Sequence, residues 1–336
     1  MRVEARAPAR VDLAGGTVDI WPLYLFHPGA QTVNVAIQCY ATCVIESRAD
    51  GRFHLVSEDQ GIHESWNDFA QLSQGGSRLP LLRELVRFFE PPGGLNITTG
   101  SQVPAGAGLG GSSALNIALC GGLARITGRR CTRHSLLEIA RNVEAMVLRV
   151  PTGWQDYIPP LYGGVNSLHL QSDGVRVEHL PVSAAEFKER FVLCYTGQPR
   201  NSGINNWQVM KAHIDKDKRV IRNFGQITTI AGHMRQALLA QSWNDVAGLL
   251  AQEWKNRKRN FTNISTPLID ALIAQTRRLG TLAAKVCGAG GGGCVVFMVR
   301  PGSKPVIENA LTRMGGRVID FAVSRTGLQV HADGGA

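Results

Sequence analysis

Between Val103 and Ala114 the chain reads Val-Pro-Ala-Gly-Ala-Gly-Leu-Gly-Gly-Ser-Ser-Ala, and an apolar run to about Thr127 follows. So many closely set glycines leave a row of backbone N–H groups uncovered, and the helix opened by Ser112 aims its positive end at the same point. A strand-to-helix turn of this kind seats phosphate, and Ser112 and Ser113 add hydroxyls for a phosphate oxygen or for magnesium. The segment contains G-x-G-x-x-G, the dinucleotide fingerprint. Three features oppose that reading: its place far into the chain, Arg129-Arg130-Cys131 where a ribose-binding acid belongs, and the paired serines. A P-loop is excluded because no lysine follows the glycines, and the protein-kinase motifs are missing.

A second glycine cluster, Lys285-Val-Cys-Gly-Ala-Gly-Gly-Gly-Gly-Cys294, stands directly before a strand-like run. One turn does not explain it, whereas close approach of backbone to a ligand or to the first loop does. Gly100–Gly111 and Gly288–Gly293 together hold ten of the 38 glycines, so the surplus is concentrated where phosphate is expected. Two other segments carry candidate chemistry. Pro8-Ala-Arg10-Val-Asp12-Leu-Ala-Gly15-Gly16-Thr17-Val-Asp19 reads as a strand and a tight turn. Val150-Pro-Thr-Gly153-Trp-Gln155-Asp156-Tyr places an acid among Gly, Trp, Tyr and a Pro pair, the setting of a buried loop. Glu144 stands on the helix before it.

The formal charge is +10, with 44% hydrophobic and 18% charged residues, a balance that excludes wholesale disorder. Residues 186–260 hold thirteen Lys or Arg against six Asp or Glu, so most of the excess lies there. A nucleic-acid groove would interleave basic residues with aromatics; here they mingle with Asp215, Asp217 and Glu253, and no nucleic-acid partner is expected. The seven cysteines are widely spaced and odd in number, which reads as buried thiols rather than zinc or a disulfide frame. Neither a signal peptide nor a membrane span is recognisable, and a cytoplasmic protein is expected.

Along the chain, strands are expected at Val33–Ser47, Arg52–Ser57, Leu95–Thr99, near Val165 and Val175, at Phe191–Tyr195, from Cys294, at Arg317–Val323 and at Leu328–His331. Helices are expected at Leu79–Phe89, from Ser112 to about Thr127, at Arg133–Arg149, through Asn205–Asn260 and at Lys304–Met314. This alternation predicts an α+β protein in two parts, residues 1–185 and 186–336.

Taken together, these segments resemble the GHMP kinase superfamily. Its three motifs appear in order over nearly the whole chain, and Arg6-Ala-Pro, Ala14-Gly-Gly, Trp254, Lys258-Arg259, Ile264-Ser265, Pro267, Ile269-Asp270 and Lys285–Gly293 are similar to its sugar-1-kinase branch. The resemblance implies an N-terminal domain like domain 2 of ribosomal protein S5, a ferredoxin-like C-terminal domain, and an active site between them. It implies ATP and Mg2+. Pro104, Gly106, Gly108, Leu109, Gly110, Gly111, Ser112 and Ser113 would wrap the ATP phosphates, and Ser112 and Glu144 would hold magnesium. Asp156 would be the catalytic base, with Arg10 facing it. Gly16, Thr17, Asp19, Gly153, Gly290 and Gly291 would meet a small sugar or sugar phosphate at its C1 hydroxyl. D-glycero-D-manno-heptose 7-phosphate is the first substrate implied, with fucose, galactose or a uronic acid as alternatives. Trp21–His27 would line the sugar pocket, and part of the basic stretch 186–260 would close over the substrate side of the cleft, the rest being a solvated helix face. The resemblance does not imply an oligomeric state.

Overall fold

Eighteen consecutive residues, Gln31–Arg48, form one strand because β-branched and apolar residues fill its first half and alternate with polar ones in its second. Thr32–Ile37 are buried continuously, and the second half has one solvated face. This strand organises the N-terminal half of the protein. The computed structural model describes residues 1–199, 202–260 and 263–333, without the side chains of residues 202–205.

The strands of that half are β1 (Arg2–Ala14), β2 (Gln31–Arg48), β3 (Phe53–Ser57), β4 (Ile62–Trp66), β5 (Gly94–Ser101), β6 (Val165–Gln171) and β7 (Gly174–Leu180). The order β1-β2-β5-β3-β4 runs across the sheet, and β6 pairs with the first part of β2 and then with β7. Only β3 and β5 run parallel; the other pairs are antiparallel. The C-terminal half contributes β8 (Phe191–Tyr195), β9 (Thr281–Val286), β10 (Cys294–Val299) and β11 (Arg317–Ile319), all antiparallel in the order β11-β8-β10-β9. With its strands numbered 1 to 4 along the chain that order is 4-1-3-2, the ferredoxin-like order expected. The chain then returns: β12 (Gln329–Asp333) pairs antiparallel with β1, Arg2 opposite Asp333. The expected division at 185/186 falls inside helix Ala184–Arg190, between β7 and β8, and β12 lies in the first sheet.

Helix Gly111–Ile126 lies against β1 and β2 and is buried on all sides from Ser113 to Ala124. Its close approach depends on Gly121 and Gly122, where a Cβ would stand 2.7 Å from Leu328 and 2.9 Å from Ile45. Helices Pro80–Phe89 and Arg133–Leu148 pack beside it and complete one core. A second core joins the two halves: Val11, Leu13, Val33 and Val35 meet Ile230 and Met234 of helix Lys218–Leu239, Leu250 of helix Trp243–Lys258, and Leu193 and Val296 of the second sheet. A third fills the outer face of that sheet with helices Pro267–Arg277 and Lys304–Arg313.

One expectation is refined and one is corrected. The helical stretch through Asn205–Asn260 is three helices, Ser202–Ile214, Lys218–Leu239 and Trp243–Lys258. Asp217 caps the second, its carboxylate accepting from the N–H groups of Arg219 and Val220, and so breaks the run. The strand at Arg317–Val323 ends at Ile319, with Val323 forming only a single bridge to Ile37. The short helix Ile158–Tyr162 carries Pro159 and Pro160 in its first turn, where missing N–H groups cost nothing.

Candidate active site

Arg10 is the centre of the site because β1 carries it, fully buried, under the glycine loop. Its backbone N–H donates to the Leu109 carbonyl at 2.8 Å, and its Nη1 donates to the Gly108 carbonyl at 2.5 Å. Gly110, at φ 69°, leaves room for it; a Cβ there would meet Arg10 Cγ at 3.2 Å. The loop is therefore hung on Arg10. The same guanidinium donates from Nε (2.9 Å) and Nη2 (2.6 Å) to Asp156 Oδ1. Asp156 Oδ2 accepts no hydrogen bond among the described residues. Burial works against the Arg10 charge, but Asp156 and then Asp12 outweigh it, so its pKa lies above the ordinary arginine value.

Across the helix start, Ser112 Oγ donates to Glu144 Oε1 (2.8 Å) and Ser113 Oγ to Glu144 Oε2 (2.9 Å). Glu144 is buried, and burial raises its carboxyl above the usual range, against the hydrogen bond from Ser112. Ser113 is buried, whereas Ser112 is exposed to the cleft. The helix begins at Gly111, one residue before the expected Ser112, so both serines lie in its first turn. No side chain caps this helix, which leaves its first N–H groups to the cleft.

The cleft, about 410 Å3, runs past Pro104, Gly106, Gly108, Gly110, Gly111, Ser112 and Ser113 to Arg10, Asp156 and Glu144. At one end it is apolar, walled by Leu79, Leu82, Leu115, Val147 and Leu148. The other end is polar and holds Thr17, Asp19, Gly153 and Gln155. There Asp19 is buried, and its Oδ2 accepts from the Gln155 N–H at 2.8 Å. Burial pushes the Asp19 carboxyl up to about 7, against that backbone hydrogen bond. Gly153 is required beside it, since a Cβ would fall 2.1 Å from Asp19 Oδ2.

Some expected residues serve from outside the cleft. Leu109 is buried and contributes its carbonyl to Arg10. Gly16 does not line the cleft; its carbonyl accepts from Arg257 Nη2 at 3.1 Å. Gly290 and Gly291 lie against Ile264, whose carbonyl accepts the Gly291 N–H at 2.9 Å, and Gly288 and Ala289 line the wall instead. Gly293 meets the first glycine loop, with a Cβ there only 2.6 Å from the Ala107 carbonyl oxygen, which accepts the Cys294 N–H at 2.7 Å. The bulky turn after Ile20 does not line a sugar pocket: Leu23 and Tyr24 enter the core, while Trp21 and Phe26 face outward. The basic stretch also corrects the expectation placed on it. Among the described residues, the cationic side chains at the cleft are Arg10 and Arg78, neither from 186–260. Arg235 and Lys211 are paired with Glu178 and Asp215, and Arg200 lies outside the described residues.

One group of functional neighbours escaped the sequence reading. Asp12, Lys285, Glu253 and Arg257 form a fully buried ion cluster. Lys285 Nζ donates to Asp12 Oδ2 at 2.6 Å and lies 3.5 Å from Glu253 Oε2. Arg257 pairs with Glu253 and donates to the Gly16 carbonyl, and Asp12 Oδ1 accepts the Gly288 N–H at 2.9 Å. Burial would raise Asp12, but Lys285 and Arg257 hold it far below the carboxylate range. The cluster ties the N-terminal turn, the second glycine loop and helix Trp243–Lys258 into one wall. A lysine inside an otherwise apolar strand was the available signal.

This arrangement meets its relatives at the level of sequence. The profile for the GHMP kinases N terminal domain matches residues 79–164, and that for the GHMP kinases C terminal matches residues 234–317. The chain belongs to the GHMP kinases. As a member it is a phosphotransferase, with ATP as donor. The D-glycero-alpha-D-manno-heptose 7-phosphate kinase of Campylobacter jejuni is 26% identical over 97% of this chain and 98% of its own. The mevalonate kinase of Thermococcus sibiricus is 24% identical over 98% and 99%. The solved galactokinase of Lactococcus lactis, in complex with galactose, superposes with a TM-score of 0.82 at 17% identity, over 98% of this chain and 95% of its own. Each of these matches covers 97–98% of the chain. Among the described residues no helix is long and apolar enough to cross a membrane.

Proposed function

We propose that this GHMP kinase phosphorylates the anomeric C1 hydroxyl of a sugar or sugar phosphate, with D-glycero-D-manno-heptose 7-phosphate as the first substrate. The observation that carries the reading is Asp156, anchored through one oxygen by buried Arg10 at the point where the glycine loop meets the polar end of the cleft. The similarity to the heptose 7-phosphate kinase along its full length supports the choice of sugar.

Phosphoryl transfer asks mainly for positioning and for neutralisation of charge. The apolar end of the cleft suits a nucleoside base. The loop N–H groups and the start of helix Gly111–Ile126 face the phosphates, which they bind by hydrogen bonds and dipole. Ser112 and Glu144 offer hard oxygen donors 2.8 Å apart, with Ser112 open to the cleft, a set that fits Mg2+ bound also by nucleotide and water. When bound, the ion would neutralise charge on the phosphates. Ser113, buried behind it, holds the second Glu144 oxygen in place.

Asp156 Oδ2 takes the proton of the attacking hydroxyl, while Arg10 fixes the orientation of the carboxylate by holding Oδ1. From the same position Arg10 stabilises charge on the moving phosphoryl group. Asp19 and Thr17 hydrogen-bond the hydroxyls of the acceptor. The test is Asp156→Asn, assayed by coupling ADP release to absorbance over a panel of D-glycero-D-manno-heptose 7-phosphate, L-fucose, D-galactose, a uronic acid and mevalonate. Turnover should fall by about three orders of magnitude or more while nucleotide binding persists. Near-normal turnover in this variant would remove Asp156 as base, and preference for mevalonate would remove the sugar.

A further inference from the structure

Three neighbouring segments turn large apolar side chains outward. Trp21, Leu25 and Phe26 stand on the turn after Ile20, Trp207 and Ile214 on helix Ser202–Ile214, and Ile221 at the start of helix Lys218–Leu239. Trp21 is 60% exposed and Phe26 55%. Ring contacts hold the segments together. The Phe26 ring stacks on His213 at 5.5 Å, and His27 Nε2 lies 2.8 Å from His213 Nε2. Phe224 closes on both imidazoles, with ring centroids 6.0 and 5.6 Å away. Trp207 and Ile214 are two helical turns apart and so share a side of their helix. Contiguous exposed apolar patches mark interaction sites. Basic residues border this one. Lys218 stands one turn before Ile221 and Arg222, and Lys216 lies in the turn that precedes it. Among the described residues none of Lys216, Lys218 and Arg222 is in an ion pair, whereas Lys211 and Arg219 are paired with Asp215 and Asp217.

We propose that this face seats the protein on an anionic lipid surface, lying on the bilayer rather than spanning it. Tryptophan, phenylalanine and leucine enter the headgroup boundary, and lysine and arginine at their edge meet the negative headgroups. Apolar side chains bordered by three uncompensated cations offer both attractions at once. The same rim weighs against a second copy of the chain. A two-fold contact would bring Lys216, Lys218 and Arg222 of both protomers to one interface, where like charges repel. A protein partner would also ask for directional hydrogen bonds. The turn has few to give, since the Leu25 and His27 N–H groups donate to the Pro22 and Tyr24 carbonyls within it. The seat adjoins the acceptor end of the cleft: Thr17 Oγ1 reaches Asn206 Oδ1 of helix Ser202–Ile214 at 3.4 Å, and both residues line the cleft. The acceptor then enters beside the lipid surface, and part of the basic excess of residues 186–260 gains a use away from the cleft.

Co-flotation of the full chain tests it, with vesicles of phosphatidylcholine alone and of phosphatidylcholine with about 30% phosphatidylglycerol. The protein should bind the anionic vesicles at least about tenfold more tightly than the neutral ones. Lys216→Gln, Lys218→Gln and Arg222→Gln should each lower the binding constant about fivefold, and about 0.5 M salt should weaken it likewise. A double variant, Trp21→Ser with Trp207→Ser, should lower it about tenfold or more. Bromine-labelled lipid chains should quench the tryptophan fluorescence of wild type and quench that of the double variant less. Should the double variant not fold, the three cation variants, each an exposed side chain, decide the question. Wild type that floats with neither vesicle overturns the proposal and leaves the face to a protein. Binding that the double variant retains in full also overturns it, because net charge alone would then be the cause. So does lipid-free wild type that is dimeric where the double variant is monomeric, which gives the face to a second copy.

Discussion

Asp19→Asn separates the stability of this protein from its function, and its effect is set by proton linkage. An aspartate titrates at about 3.9 in an unfolded chain, whereas burial raises Asp19 to about 7 in the folded one. Between those values the folded protein holds a proton that the unfolded chain has released, so stability falls as pH rises through the window. The full penalty is about 4 kcal/mol, of which about 1.5 kcal/mol is already incurred at pH 5 and the remainder accrues by pH 8. Asparagine keeps the shape and an acceptor for the Gln155 N–H but does not ionise. Any cost of its buried NH2 is independent of pH. The difference in unfolding free energy between variant and wild type should therefore move in favour of the variant by about 2–3 kcal/mol from pH 5 to pH 8. Titrating groups that do not interact with Asp19 are common to both proteins and cancel. Urea unfolding at unit pH steps, followed by tryptophan fluorescence with buried Trp154 nearby, measures it. A difference that does not change with pH would refute the reasoning. The stabilised variant should bind acceptor more weakly.

Other perturbations reach neighbouring parts of the site. Lys285→Met leaves Asp12 and Glu253 buried with Arg257 as their only ion-pair partner among the described residues; it should destabilise by about 3–5 kcal/mol, read by a denaturant midpoint. Gly153→Ala drives a methyl onto Asp19 and should raise KM for the acceptor about tenfold or more with KM for ATP unchanged, since only the polar end is disturbed. Ser112→Ala should raise the magnesium concentration needed for half-maximal rate. Ser113→Ala, which strips a hydrogen bond from buried Glu144, should chiefly lower the melting temperature, by an amount matching about 1–2 kcal/mol.

How far the sequence was legible depended on whether local chemistry or distant packing decided each feature. The glycine loop, Arg10, Asp156, Ser112, Ser113 and Glu144 meet in one cleft, because turn and helix-start chemistry is written in adjacent residues. The buried ion cluster was not read, since Asp12 and Lys285 are brought together only by the joining of the two halves. Trp21–His27 was misplaced for the same reason. Bulk shows that a segment packs somewhere, and Leu23 and Tyr24 do, but which side chain turns inward is decided by neighbours far along the chain. The part of the basic excess read toward the cleft was misplaced because net charge records no partner: Arg235, on helix Lys218–Leu239, is clamped by Glu178 of β7.

The pairing of β12 with β1 has a consequence for how the protein is made. The outer edge of β1, from Arg2 to Arg6, finds its partner only in residues 329–333. During synthesis that edge emerges well before residues 329–333 and stays bare until they too have left the ribosome, since translation proceeds at about 5–20 residues per second. An open strand edge is a template for pairing with other chains. Near the end of the strand Arg2, Glu4 and Arg6 put charged side chains on alternate positions, which discourages such pairing while the chain waits. The nascent N-terminal half is guarded by charge until its own last strand replaces the guard.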